Sequence, residues 1–185
     1  MVGIDKVIVG EIKLQPKCIY SSYFIVKDMT INSEYKELVD LVSEKNLNLD
    51  FPNSSIEHAR YVISKIIQKT KNNLSLYSRN LDNDVFGSED ILNSLKNNPH
   101  ISLKILLDDS DNIINKFKSI SRDFQFKKTK EILKDSNYFL VSDKTRVRIC
   151  TREKPHQAEV NFNSPKGVKL SEYFDQLWGA ASPIK

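Results

Sequence analysis

Basic side chains recur at alternating positions around residue 146, where they could bind an anion. Lys144, Arg146 and Arg148 stand at i, i+2 and i+4, so on a β-strand they share one face, while Val147 and Ile149 point to the core. Such a row suits the backbone of a nucleic acid or another polyanion. It equally suits a solvated basic edge that discourages strand pairing. The residues alone leave both interpretations open.

The positive charge of the chain is concentrated in the same region. The 185 residues carry a net charge of +4, but residues 113–185 contain 15 basic and 8 acidic side chains, a net charge of +7. Lys127, Lys128 and Lys130 form a second basic cluster there. We therefore expect an anionic partner to bind the C-terminal part. The candidate anion-binding residues are Arg79, Lys144, Arg146, Arg148, Arg152 and His156.

Acidic residues follow two predicted strands and could hold a cation. Asp108, Asp109 and Asp111 come after an apolar run, and carboxylate oxygens are the ligands that Mg²⁺ prefers. Aspartates in such loops more often cap helices or face solvent, which is the interpretation we favour. Arg79, at the end of another strand, could bind a phosphate or a carboxylate, or equally pair with Asp82 or Asp108. We expect no metal and no cofactor.

Nucleophilic catalysis has little support in the residues. A serine or cysteine nucleophile needs a positioned base, and His58, His100 and His156 stand in no recognisable pairing with one. The sequence contains no P-loop, GxGxxG, HExxH or CxxC motif. With only five glycines, a backbone cradle for phosphate is not expected.

Periodicity and capping signals predict the elements that would position these groups. Strands are predicted over residues 74–79, 101–109, 123–127, 138–142, 146–150 and 158–162. Helices are predicted after Asn32-Ser33, after Ser54-Ser55-Ile56-Glu57, after Ser88, over 111–120 and after Ser164-Pro165, with a helical turn or loop at 129–134. Residues 6–14 and 18–26 predict a small β-hairpin or extended arm. Because helix and strand alternate between residues 54 and 109, we expect an α/β fold with a mixed, mostly parallel sheet flanked by helices.

Length and composition set the domain organisation. We expect residues 1–50 to form an N-terminal β-hairpin and helix extension, and residues 51–185 to form one compact α/β unit. No apolar run approaches the length that spans a bilayer, and the N-terminus does not read as a signal peptide. Cys18 and Cys150 lie in strand-like runs and are expected to be reduced and buried, which favours a cytoplasmic protein.

Four segments in this order resemble the phospholipase D superfamily. They are LSLYSRNLD, ISLKILLDD, NYFLVSDK and VNFNSP, and they are most similar to small bacterial PLD-like domains of unassigned function, which also end in a helix of the type YFDQ-W. The resemblance covers about residues 54–181. It implies a layered PLD-like α/β fold and, because such enzymes combine two half-sites, a homodimer.

The resemblance also implies what is missing. Enzymes of the superfamily carry H-x-K-x4-D and G-S-x-N, with the histidine as nucleophile and the lysine holding phosphate. Asp143 fits the aspartate, which puts Ser136 at the histidine and Tyr138 at the lysine, and Asn161 or Asn163 at the asparagine without a preceding Gly-Ser. The resemblance therefore implies that this chain keeps none of the family's catalytic residues and lacks the family's phosphodiester transfer.

Three functional hypotheses follow. The first is a non-catalytic PLD-like module that binds nucleic acid or another phosphate-bearing partner through its basic C-terminal part. The second is a protein-interaction subunit of a bacterial or mobile-element system, for example in defence, that meets its partner through the N-terminal arm. The third, ranked last, is a phosphodiesterase or nuclease with altered residues, in which His156 works with Arg79 or Asp143.

Overall fold

The computed structural model describes residues 33–109, 113–121, 123–129, 137–151 and 156–184. The predicted arm at residues 6–26, Cys18, Asp111, the turn at 130–134, Ser136 and Arg152 lie outside these ranges. Six helices are described: α1 (Ser33–Glu44), α2 (Ile56–Lys69), α3 (Asn83–Phe86), α4 (Glu89–Lys96), α5 (Ile114–Lys118) and α6 (Lys166–Ala180).

One sheet of eight described strands forms the centre of the molecule. The strands are β1 (Phe51–Asn53), β2 (Asn73–Ser78), β3 (Ser102–Leu107), β4 (Gln125–Lys128), β5 (Tyr138–Ser142), β6 (Arg146–Cys150), β7 (Ala158–Asn161) and β8 (Ser182–Pro183). Their order is β1-β7-β6-β5-β2-β3-β4-β8. Proline occurs in each of the two outermost strands, as Pro52 in β1 and Pro183 in β8.

The expected mixed α/β sheet is confirmed, with a larger antiparallel share than the sequence indicated. In the described residues β2, β3 and β4 are parallel, and the other five pairings are antiparallel. The difference arises because β5, β6 and β7 form a local meander. Its first turn is tight: Asp143 (φ 48°) and Lys144 (φ 61°) are left-handed, and the Thr145 N–H donates to the Ser142 carbonyl at 3.0 Å.

Helices α1 to α5 cover one face of the sheet with the larger core. α2 begins at Ser55, whose hydroxyl accepts the backbone N–H of His58 at 3.1 Å, as the capping signal predicted. The predicted apolar stripe of α2 is buried, including Val62 and Ile66. α1 joins the same core through Val39 and Val42. The helix of the predicted extension therefore shares its core with the α/β unit.

Helix α6 covers the other face and packs over β2, β5 and β6. Phe174 is fully buried there against Phe139, with the rings edge to face at 6.4 Å. The first turn of α6 lies on the β5–β6 turn, since the Ser164 N–H donates to the Thr145 carbonyl at 2.7 Å. A Cβ on Gly167 would lie 2.2 Å from the Lys144 carbonyl oxygen, so only glycine fits this contact.

Candidate functional site

A buried carboxylate lies at the carboxyl edge of the sheet, which we define as the edge where β2 and β3 end. Asp108 directly follows β3 and is 4% exposed. Its Oδ1 accepts the hydroxyls of Tyr77 and Thr129, and its Oδ2 accepts the hydroxyl of Tyr138, each at 3.0 Å. We call these four residues the Asp108 network. Three donors replace the water that a carboxylate loses on burial.

The Asp108 network occupies the place where the resemblance puts a phosphate-holding lysine. Tyr138 stands at that position, and its neutral phenol donates to a carboxylate instead of to a ligand. A phosphate beside Tyr138 would bring a second negative charge near Asp108. Two like charges 4 Å apart repel by about 4 kcal/mol at an effective dielectric constant of 20. Tyr138 thus makes a hydrogen bond within the protein at this position.

The aspartates of this edge have separate structural roles. Asp108 accepts tyrosine and threonine hydroxyls, so the expectation that it caps a helix or faces solvent is wrong for this residue. Asp82 does cap a helix, because its Oδ1 accepts the backbone N–H of Asp84 at 2.8 Å. Asp109 is exposed and lies 3.7 Å from Lys128. Within the described ranges no group of three or more His, Cys, Asp or Glu side chains could hold a metal ion.

Asp143 lies at the opposite, amino edge, where β2 and β3 begin. Its carboxylate accepts the backbone N–H groups of Lys71, Asn72 and Asn73 at 2.7 to 3.0 Å, and Arg146 lies 3.3 Å away. Burial acts to raise the pKa of Asp143, but the hydrogen bonds from Asn73, Lys71 and Asn72 and the charge of Arg146 outweigh it and lower the pKa. Asp143 thus fastens the loop between α2 and β2 to the β5–β6 turn.

Asn161 also lies at the amino edge, away from Tyr138. Its side-chain amide donates to Asn48 Oδ1 at 2.9 Å and to Asp50 Oδ1 at 2.7 Å. The register puts Cys150 directly opposite Tyr138. Tyr138, Asp143 and Asn161 are therefore not brought together into one site.

His156 and Arg79 lie at the carboxyl edge. His156 Nε2 is 3.3 Å from Asp82 Oδ2, and its carbonyl accepts the Asn53 amide at 2.9 Å. His156 and Asp143 are thus at opposite edges, so the proposed joint action of these two residues is not possible in this fold. Arg79 is exposed, and in the described part of the chain no carboxylate lies within 4 Å of it, so it pairs with neither Asp82 nor Asp108.

The alternating basic row is distributed over three environments. Lys144 is exposed in the turn, Arg146 is paired with Asp143, and Arg148 is 6% exposed. Arg148 Nε donates to Asn53 Oδ1 at 2.9 Å, and its Nη1 lies 3.6 Å from Cys150 Sγ. β6 lies inside the sheet with helices on both faces, so the row is not a solvated strand edge.

Buried aromatic and thiol groups surround Arg148. His58 stacks on Tyr35 with ring centroids 3.7 Å apart, and burial lowers the pKa of His58, so this imidazole is neutral at pH 7. Burial also raises the pKa of the Cys150 thiol, which Arg148 only partly offsets. A buried, protonated thiol is unreactive. These groups are therefore packed in the interior, around the buried Arg148.

An open groove of about 740 Å³ runs beside β6 and β7. Its lining combines amide and hydroxyl groups with a few apolar side chains: Pro52, Asn53, Ser54, Asn137, Ile149, Cys150, Thr151, Gln157, Ala158, Glu159 and Lys166. The ammonium of Lys166 pairs with Glu159 at 2.5 Å. The lining therefore carries little net charge.

Sequence reasoning missed the partners of Asp108. Tyr77 is fully buried inside β2, and its hydroxyl meets a carboxylate 31 positions away in the chain. The sequence held one indication of this contact: Tyr77 and Asp108 each lie at the end of an apolar run, and the two runs are adjacent. In a parallel pair such ends meet at one edge.

Solved structures with the same fold include members of the phospholipase D family. Nuc from Salmonella typhimurium superposes with a TM-score of 0.55 at 16% identity and covers 75% of this chain and 99% of its own. NucT from Helicobacter pylori superposes with a TM-score of 0.56 at 10% identity and also covers 75% of this chain and 99% of its own. TrmBL2, described as an archaeal chromatin protein with a novel mode of DNA binding, gives 0.53 at 15% identity over 82% of this chain and 61% of its own.

These likenesses show that the chain has a phospholipase D-like fold. No curated protein sequence matches the chain. Among the described residues, no helix is long and apolar enough to cross a membrane. The model of the family described as "Domain of unknown function (DUF7931)" matches residues 55–185, which is most of the chain. The chain therefore belongs to this DUF7931 family.

Proposed function

We propose that the chain is a non-catalytic PLD-like module that binds nucleic acid through exposed cations of its C-terminal part. The Asp108 network is the observation that supports the non-catalytic part of this proposal. Where a phosphodiesterase of this fold would hold phosphate, a buried carboxylate accepts three hydroxyls. A substrate phosphate there would meet repulsion, so a phosphate-bearing partner is expected to bind elsewhere on the surface.

Exposed lysines support the part of the proposal that concerns nucleic-acid binding. Lysines of the C-terminal part lie on the surface at Lys116, Lys118, Lys144 and Lys169. The description of TrmBL2 as a chromatin protein with a novel mode of DNA binding supports the choice of nucleic acid, since that protein has a similar architecture. Arg148 is not among the residues proposed to bind nucleic acid, because it is buried.

A salt titration with matched charge reversals tests the binding. Lys144→Glu with Lys169→Glu changes two exposed lysines of the C-terminal part, and Lys36→Glu with Lys45→Glu makes the same charge change in the N-terminal part. Fluorescence anisotropy with labelled DNA should show binding that falls steeply with salt. The salt slope should decrease by about 0.9 for each duplex phosphate contact that is lost, in the first variant only.

Binding that does not depend on salt, or no binding to DNA or RNA, would end the proposal. Equal weakening by the two variants would contradict the assignment to the C-terminal part. A parallel assay with a generic phosphodiester, bis(p-nitrophenyl) phosphate, should show no turnover above buffer. Turnover that His156→Ala abolishes would instead support the altered phosphodiesterase.

The alternative function, a protein-interaction subunit, is favoured by a separate observation. Three of the exposed large apolar side chains, Leu38, Leu47 and Leu49, lie on or just after α1 and are 36%, 38% and 43% exposed. Exposed apolar side chains are common at protein interfaces. Sedimentation at micromolar concentration tests the homodimer that the resemblance implies, and a purely monomeric protein would remove it.

A further inference from the structure

The chain's single tryptophan lies between two lysines on an open part of the sheet. Trp178, near the end of α6, is half-buried and has the ammonium of Lys127 at 4.9 Å and that of Lys104 at 5.7 Å from its ring centroid. The ring of Phe174 also stacks on the Trp178 indole, with ring centroids 5.6 Å apart. An aromatic ring flanked by cations is the side-chain combination that single-stranded nucleic acid uses.

The strands beside Trp178 extend this polar surface. α6 covers β2, β5 and β6, and the same face of β3 and β4 continues beyond it. The register places Ser75, Lys104 and Gln125 next to one another across β2, β3 and β4. Lys104 is half-buried and Gln125 is exposed. We call Trp178, Lys104, Lys127, Ser75 and Gln125 the tryptophan platform.

The charge of the tryptophan platform is not neutralised within the protein. In the described ranges neither Lys104 nor Lys127 has a carboxylate within 4 Å, and Lys127 Nζ donates to the neutral carbonyl of Trp178 at 2.8 Å. The other two-lysine cluster differs. Lys36 and Lys65 lie over Tyr61, but there Asp40 sits 2.6 Å from Lys65. Two uncompensated ammonium groups beside one ring fit an anionic partner.

We propose that the tryptophan platform binds single-stranded nucleic acid, with a base stacked on Trp178 and phosphates held by Lys104 and Lys127. This proposal rests on the function proposed above, adds Lys104 and Lys127 to the lysines named there, and specifies the ligand class. Phe174 stacks on one face of the indole, so the base must replace the two lysines over the ring. On binding, Lys104 and Lys127 both turn from the ring to phosphate oxygens, which opens that face of the indole to a base. The exchange is favourable because a base–aromatic stack is stronger than a cation–π contact and each ammonium gains a phosphate.

The test uses Trp178 as its own reporter, because no other tryptophan contributes emission. A labelled 20-nucleotide oligothymidine strand and a duplex of equal length are titrated, and anisotropy and Trp178 fluorescence are followed together. We expect the single strand to bind more tightly and to quench Trp178. Lys104→Gln with Lys127→Gln should weaken single-strand binding by about tenfold.

The control variant, Lys36→Gln with Lys96→Gln, removes two exposed charges from the helices on the other face and should change affinity by less than about twofold. Near-UV circular dichroism checks that both variants keep the native packing. If neither nucleic acid binds, the proposed function and this inference fail together. If nucleic acid binds but Trp178 emission stays constant and both variants bind equally, only the tryptophan platform is ruled out. Preference for the duplex would also rule it out.

Discussion

At the scale of single residues, two positions that the resemblance assigns to the motif make hydrogen bonds that hold the fold together. Tyr138 donates to Asp108 in the interior, and Asp143 accepts three backbone N–H groups at the far edge. Both residues hold distant segments of the chain together. The two positions that the resemblance assigns to the motif thus make hydrogen bonds within the protein.

The Asp143 contacts lead to a prediction about acid stability. Although burial acts to raise the pKa of Asp143, its hydrogen bonds and Arg146 lower it in the folded state. A carboxyl whose folded pKa is lowered contributes stability above its unfolded pKa, about 3.9, and that contribution is lost as the pH falls through the folded value. Asp143→Asn should therefore be less stable than the wild type at pH 7, and the two should converge in acid.

Urea unfolding between pH 2.5 and 7 measures this convergence. The free energy of unfolding of the wild type should fall more steeply below about pH 4 than that of Asp143→Asn. Parallel pH profiles for the two proteins would show that the Asp143 contacts add no pH-dependent stability.

At the scale of elements, the close contact between α6 and the β5–β6 turn is sharply testable. Gly167 and Gly179 lie in the same helix, but a Cβ on Gly167 would meet the backbone of Lys144 at 2.2 Å, while a Cβ on Gly179 meets nothing within 4 Å. Gly167→Ala should destabilise the protein by about 1–3 kcal/mol because backbone atoms must move. Gly179→Ala should stabilise it by about 0.5–1 kcal/mol through helix propensity.

Thermal and urea unfolding of the two alanine variants give the comparison directly. Since both changes add the same methyl group to the same helix, their difference reports the contact and not propensity. If Gly167→Ala proves as stable as Gly179→Ala, α6 does not lie tightly on the turn.

Element boundaries were largely predictable, and the orientation of side chains was not. The strands over 138–142 and 146–150 match the structure because the first is an apolar run between Asn137 and Asp143 and the second alternates polar and apolar residues. Alternation also separated Val147 from Arg148 correctly. It could not tell that Arg148 is buried, because its hydrogen-bond partner Asn53 belongs to β1 and lies 95 positions away in the chain.

The candidate site was less predictable than the fold for the same reason. Asp108, Tyr77, Thr129 and Tyr138 come from four separate segments, and only the strand order brings their hydroxyls to one carboxylate. Local patterns identify helices and strands. They indicated that the ends of β2 and β3 could meet, but not that the hydroxyls of Thr129 and Tyr138 would join Tyr77 at Asp108.

At the scale of the whole molecule, the folded unit extends beyond the DUF7931 match, which begins at residue 55. α1 and β1 precede it, yet Tyr35, Val39, Val42 and Phe51 are at most 8% exposed in the main core. Burial of each such side chain contributes about 1.5–3 kcal/mol, so the four together contribute about 6–12 kcal/mol. That is comparable with the total stability of a domain, about 5–15 kcal/mol.

A chain that begins at residue 55 should therefore fail to fold cooperatively, whereas one that begins at residue 33 keeps these four side chains. Circular dichroism during urea titration of the two proteins would distinguish them. A cooperative transition of the shorter chain with an unchanged midpoint would mean that α1 and β1 are dispensable.

The prolines of β1 and β8 have a consequence for assembly. Pro52 and Pro183 lack the N–H that would recruit a neighbouring chain, and each outermost strand is only two or three residues long. Among the described strands, these two borders therefore disfavour end-to-end growth into filaments and the capture of an extended peptide as an added strand.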